Sequence, residues 1–598
     1  MGGAVLGRGG ARFSVRAPDA AALTLCLFDG EAETRLPMRR EGDEWRLDVP
    51  GVRAGQRYGF RAEGEWAPAR GLCFDPAKLL LDPWSTAIDR PFAHDPRLGD
   101  RGVDTAALVP KSVLEKPLAD LRRAPPRFAP GGLIYELNVR GFTMLHPDVR
   151  DSERGTIAAL AHPAVIAHLR KLHVRAVELM PIVAWIDERH LLPLGLSNGW
   201  GYNPVVPMAL EPRLCPGGMA ELRATVSRLH RAGIGVILDL VFNHTGESDR
   251  LGPTLSMRGL GERDWYALEP DGRLINDTGT GNTLDCAQPH VRALILAALR
   301  RFVREAGVDG FRFDLAPVLA RGPGFDAHEP IFAEIAADPW LADRIMIAEP
   351  WDIGPGGYQL GHFPAGWLEW NDRYRDDVRR FWRGDGGIGA LATRIAGSSD
   401  LFGKPTRTVN FLAAHDGFTL ADTVAYADKH NEANGEQNRD GHNENLSWNH
   451  GVEGPSDDPA VNARRQADLR ALLGTLFAST GTIMLTAGDE SGRTQHGNNN
   501  GYAQDNADFW IDWAGRDMAL EAFVAALAAA RAAAGDLFAR FPEPGIWRRP
   551  DGAAMTVADW EAPETGALVY EASFRDGRGF RLLVDRAARR VHVDIVRN

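Results

Sequence analysis

At 598 residues with a formal net charge of −12, the chain is too long for one hydrophobic core and too acidic to hold a phosphate backbone, so several folding units and no nucleic-acid partner are expected. Hydrophobic residues at 44% and charged residues at 25% exclude a disordered or fibrous chain. The sequence has no basic-then-apolar leader and no apolar run of about 18 residues, and Cys26, Cys73, Cys215 and Cys286 form no CxxC pair; a cytoplasmic protein with reduced thiols, no membrane contact and no structural zinc is expected.

Residues 11–62 alternate apolar and polar positions in short runs ("ARFSVRAP", "LTLCLFD", "EWRLDVP", "QRYGFRAEG") divided by turn residues, which predicts a small β-sandwich within residues 1–115. A Pro-rich, charged stretch, roughly 91–130, reads as a connector. From 133 the texture becomes strand-like runs ("LIYELNV", "VRAVELMPI", "GVILDLVFN", "GFRFDLA", "RIMIAEP", "TVNFLAAHD", "TIMLTAGDE") alternating with amphipathic segments at 157–171, 219–232, 289–305 and 464–478. This α/β alternation predicts parallel strands with helical crossovers over 116–515, and the absence of a Gly-rich phosphate turn favours a closed (β/α)8 TIM barrel over an open doubly wound sheet. The polar segment 428–458 reads either as disordered or as a loop facing substrate, and its "NRDGHNEN" lacks the spacing of a calcium loop. An Ala-rich helix at 519–534 and a β-patterned tail from 546 predict a small C-terminal all-β unit within 516–598.

Polar residues recur where the predicted barrel strands end: Asp239 with Asn243 and His244, Asp314, Glu349, His415 with Asp416, and Asp489 with Glu490. That rim carries the chemistry of a (β/α)8 barrel, although any one of these residues could simply cap the next helix. In "VDGFRFDLA" Arg312 and Asp314 share one strand face while Phe311 and Phe313 share the other. A structural ion pair would explain Arg312 and Asp314 alone. With Glu349 at the end of the next strand they become two carboxylates able to face one pocket, the minimal kit for hydrolysing a glycosidic bond, with Asp314 as nucleophile and Glu349 as acid and then base.

The segments "DLVFNH" (239–244), "GFRFD" (310–314), "AEPW" (348–351) and "AAHD" (413–416) resemble, in order, the four signature regions of the α-amylase family of glycoside hydrolases. The resemblance implies Asp314 as nucleophile, Glu349 as acid/base and Asp416 as a third carboxylate gripping sugar hydroxyls. It also implies Tyr202, Asp239, Asn243, His244, Arg312, Trp351 and His415 as substrate-binding companions, Tyr202 stacking on a sugar face. Longer segments, among them "GLSNGWGYNPVVPMALEPR" and "AGDESGRTQHGNNNGYAQDN", are similar to bacterial glycogen debranching enzymes of the isoamylase type across nearly the whole chain. That likeness implies cleavage of α-1,6 branch linkages in glycogen or its limit dextrins, a glucan-binding type of front sandwich, and an ordered 428–458 loop beside the cleft; no cofactor is expected, and the missing calcium-loop spacing speaks against a metal. The alternatives are an α-1,4-acting amylase or maltooligosyl-trehalose trehalohydrolase of the same family, and a non-catalytic glucan-binding protein. Asn138 stands where these enzymes usually carry His, His173 where Gly is usual, and Ala503 where Cys is frequent. If the front sandwich binds glycan, Trp45 and Trp66 are candidate contacts, equally readable as core.

Overall fold

The computed structural model describes residues 2–322 and 324–596, the side chains of Glu543 and Pro544 excepted. Eight parallel strands close a barrel in chain order: β1 Leu133–Leu137, β2 Ala176–Leu179, β3 Gly235–Leu240, β4 Gly310–Phe313, β5 Ile345–Ala348, β6 Trp367–Asn371, β7 Thr408–Asn410 and β8 Thr482–Thr486. Their alternation sorts side chains to two sides. Ile134, Ala176, Ile237, Ile347, Val409 and Met484 fill the barrel with Phe128. Tyr135, Val177, Leu238, Phe311 and Met346 face outward into a second core shared with the surrounding helices.

Seven of these strands coincide with the runs read from the sequence. The eighth, β6, escapes that reading because "WLEWN" places a glutamate in a five-residue strand that runs directly into the helix Asp372–Arg383. Glu369 is tolerated there because Arg407 pairs with it and the Gly361 amide donates to it at 2.6 Å.

Ahead of the barrel, two four-stranded antiparallel sheets face each other: Gly3–Gly7, Gly10–Arg16, Glu44–Pro50 and Arg39–Glu41 form one, and Ser112–Val113, Arg57–Glu63, Ala22–Asp29 and Ala32–Pro37 the other. Phe13, Val15, Leu25, Tyr58 and Phe60 form their core, joined by Leu260 from the barrel side; Arg16 bonds Asp264 at 2.7 Å and fixes the sandwich in place. Trp45 belongs to this core and donates to the Ala17 carbonyl, whereas Trp66 is exposed with the Arg101 guanidinium 4.8 Å above its ring.

At the other end, Glu543–Arg548, Ala567–Ser573, Gly579–Asp585 and Arg590–Val596 make one antiparallel sheet. Its last strand seats Val591 on Gly474 of the helix Pro459–Ala478, where a Cβ would meet the valine at 3.0 Å; the glycine is what lets a short tail pack closely. His173, at the position where the resemblance leads glycine to be expected, has a φ of 52°, the left-handed region that glycine enters at least cost. Asn138 caps the helix Val139–Thr143 through the Gly141 amide, and Ala503 is buried.

Candidate active site

The charged residues of the barrel interior gather at the C-terminal ends of the strands. The register sets Asp239 of β3 directly beside Arg312 of β4. Arg312 is fully buried, a position that costs several kcal/mol unless counter-charges surround it. Its Nη1 donates to both oxygens of Asp239 at 2.9 Å and to Asp314 Oδ1 at 2.9 Å, while Nη2 lies 3.1 Å from Glu349 Oε2. The Trp370 ring of β6 lies under the guanidinium, 4.4 Å away. One planar cation thus fixes three carboxylates from three adjacent strands. Phe311 and Phe313 point away into the outer core, as the two-residue period requires.

Asp314 directly follows β4 and receives a second bond from Asn243 Nδ2 at 2.8 Å. The next residue, Leu315, has a φ of 41°, costly for a branched side chain; that turn aims its amide at Glu349 Oε2, 2.6 Å away. Glu349 therefore has one oxygen held by an amide and a guanidinium and the other left for a proton. Burial pushes its pKa up to about 8, Arg312 opposing and the charges of Asp314 and Asp416 adding to the rise. At neutral pH Glu349 is an acid while Asp314 lies against a guanidinium. The two carboxyl groups have been driven apart in role by their surroundings.

The far wall comes from the segment after β7. Burial would lower the His415 pKa, but Glu136 of β1, 2.7 Å from Nδ1, raises it to about 9 and holds an imidazolium. Tyr202 stacks on that ring at 4.7 Å, and its hydroxyl donates to Asp239. Burial works against ionising Asp416, yet His442, His415 and Arg375 hold its carboxyl far below the usual range. His244 lies behind, between Asn243 and the Tyr202 carbonyl, and Trp351 is half-buried against the barrel core. The structure thus brings Asp314, Glu349, Asp416, Tyr202, Asp239, Asn243, Arg312 and His415 to one rim, with His244 and Trp351 on its border.

Asp489 and Glu490 do not join them. Asp489 accepts from the Leu420 amide, and Glu490 accepts from Tyr135 and lies 3.0 Å from His168 on the outer side of the barrel, so both are structural anchors. Sequence reasoning missed Glu136, Glu178, Trp370, Arg375 and His442. Glu178 sits opposite Glu136, both of its oxygens buried without a partner among the described residues, and burial, with Asp239 and Glu136 nearby, raises its pKa strongly. The strand period could have pointed to Glu136 and Glu178, since both face inward in otherwise apolar strands. His442 carried no signal: it comes from the 428–458 segment, ordered here by buried amides such as Asn431 and Asn434, and its Nε2 lies 3.7 Å from Asp416 Oδ2.

A cavity of about 1080 Å³ opens beside the rim, walled by His190, Asp249, Ile353, Glu436 and Tyr502. Tyr502 lies 6.2 Å from Trp200, which in turn edges against His415 at 5.0 Å. Among the described residues, no group of three or more His, Cys, Asp or Glu could hold a metal ion, and no helix is long and apolar enough to cross a membrane.

Residues 1–85 match the family described as Carbohydrate-binding module 48 (Isoamylase N-terminal domain). A protein of Serratia proteamaculans called glycogen debranching enzyme is 49% identical over 547 residues, covering 88% of this chain and 82% of its own. One of the same name from Yersinia enterocolitica is 48% identical over 538 residues, covering 87% and 81%. Among solved structures, a pullulanase from Bacillus acidopullulyticus superposes with a TM-score of 0.72 at 22% identity, over 98% of this chain and 68% of that one. A pullulanase from Paenibacillus barengoltzii, in complex with maltohexaose and α-cyclodextrin, gives 0.70 at 21%, over 98% and 88%. These two show a shared fold.

Proposed function

The chain belongs to the glycogen debranching enzyme family, within the α-amylase-type glycoside hydrolases, and we propose that it cleaves α-1,6 branch linkages of glycogen or its limit dextrins with retention of configuration. The observation that carries the mechanism is Arg312 bonded to Asp314 at 2.9 Å with a protonated Glu349 across the same guanidinium. Asp314 attacks the anomeric carbon of the branch residue as Glu349 gives its proton to the departing O6. The new ester removes the negative charge of Asp314. Glu349, relieved of that charge, becomes a stronger acid and so stays ionised, ready to take a proton from water as the water opens the glycosyl ester.

Asp416, ionised through His442, His415 and Arg375, is a fixed acceptor for sugar hydroxyls in the distorted ring. The imidazolium of His415 donates beside it, and Tyr202, Asn243, His244, Asp239 and Trp351 line and orient the subsite. The cavity of about 1080 Å³ gives an oligosaccharide branch room to lie. Division into a front sandwich (1–115), a catalytic barrel (116–515) and a rear unit (516–598) is part of this reading, as is a cytoplasmic setting, which four unpaired cysteines suit.

The test is the product profile of the purified protein on glycogen phosphorylase limit dextrin with linear amylose alongside. Linear maltooligosaccharides released from the dextrin, with amylose intact, are the expected result. Cleavage of amylose would overturn the α-1,6 assignment in favour of an α-1,4-acting relative, and glycogen binding without any product would overturn hydrolysis itself.

A further inference from the structure

At the N-terminal end of the barrel, away from the rim, lies a cavity of about 410 Å³ whose lining is unusual for a chain of net charge −12. Six arginines and a histidine converge on it from three segments: Arg122, Arg123 and Arg127 from the connector, Arg223, His230 and Arg231 from the helix Gly218–Arg231, and Arg344 from the turn before β5. Asp309 is the lone carboxylate of that lining, and it is already engaged, accepting from the Val236 amide at 2.7 Å and the Arg127 amide at 2.5 Å, with His230 at 2.7 Å.

The arginines divide into two kinds. Arg223 and Arg344 donate to the carbonyls of Ala119 and Ala124, pinning the connector over the barrel, and Arg344 and Arg123 share Asp343. The side chains of Arg122 and Arg127 have no ion-pair or hydrogen-bond partner among the described residues, and that of Arg231 has a serine hydroxyl of its own helix and no carboxylate. Pinning the connector therefore gathers three solvated guanidinium groups without a carboxylate partner around a concave space, a local positive field that would attract an anion. Guanidinium forks match phosphate oxygens in geometry, and a volume of about 410 Å³ suits a small molecule and is too small for a nucleic-acid duplex.

We propose that this basic cavity at the base of the barrel binds a small phosphate-bearing anion, at a site separate from the glucan cleft. The β4 strand separates the two by its length, for Asp309 precedes it and Asp314 follows it.

The full chain is titrated calorimetrically with inorganic pyrophosphate, a hexose phosphate and a nucleoside diphosphate, each against sodium chloride of equal ionic strength. Saturable binding of at least one probe near one equivalent is expected, and the order of affinities identifies the source of the phosphate. The double substitution Arg122→Ser/Arg127→Ser, at exposed positions, weakens that binding at least about tenfold and leaves hydrolysis of limit dextrin unchanged. Arg231→Ser, tested alone, weakens it in the same direction. Absence of saturable binding for all three probes, or binding undiminished in both variants, would overturn the proposal.

Discussion

Two of the buried arginines sit at opposite ends of the barrel, and they are treated differently. Arg312, at the C-terminal rim, faces Asp239, Asp314 and Glu349, and despite burial their charges raise its pKa well above the ordinary value. Arg531, at the base, has no carboxylate among its bonded partners: it donates to the carbonyls of Phe477, Ser479, Gly131 and Gly481 at 2.6–3.2 Å, and burial pulls its pKa down to about 9. Arg531 ties loop ends together. Arg312 sets the ionisation of the groups around it. Burial alone does not mark a functional charge; the kind of partner does.

That contrast can be broken by substitution, beginning with the largest effect. Asp314→Asn lowers kcat on limit dextrin by roughly 10⁴ or more without altering Tm by more than a few degrees, measured by reducing-end assay and thermal melt. Arg312→Lys keeps the charge and loses the fork, so kcat falls about 10²–10³ while the fold persists. Arg531→Lys does the reverse, leaving carbonyls unpaired at a cost of about 1–3 kcal/mol in stability with kcat unchanged in the folded enzyme. Equal losses of activity in the two lysine variants would erase the distinction.

Glu349 makes the influence of Arg312 and its neighbours visible through pH. Its proton is required for the first step, so kcat/KM falls above an apparent pKa near 8. The folded protein keeps that proton up to about pH 8 while the unfolded chain releases it near 4.5, so across that window wild-type stability declines as pH rises, whereas Glu349→Gln has no such loss. The Tm advantage of Glu349→Gln therefore widens between about pH 6 and pH 8; a constant gap would contradict a raised pKa. The smallest expected effect belongs to His442→Gln, which removes one of the groups that hold the Asp416 carboxyl below its usual range and lowers kcat/KM roughly tenfold with the melt unchanged.

Much of the site is legible in the amino-acid sequence. The period of two places Arg312 and Asp314 together, and strand ends locate Asp239, Glu349 and His415 on one rim. Asp489 and Glu490 obey the same rule yet stay out of the site, because position at a strand end does not reveal which side of the barrel a side chain takes once the chain turns into a helix. His442 is illegible for a different reason: its place beside Asp416 is set by a loop whose amides pair with the distant Asn498–Asn500 stretch, and such pairing leaves no local pattern. Strand β6 is hidden because its glutamate is compensated by Arg407, 38 residues later.

Double displacement through Asp314 leaves its mark on the stereochemistry of the first product. Proton NMR of limit dextrin digested at high enzyme concentration, recorded within the first minutes before mutarotation, should show the newly released reducing end as the α-anomer. A β-anomer appearing first would mean that water attacks directly, and would remove Asp314 from the role of nucleophile.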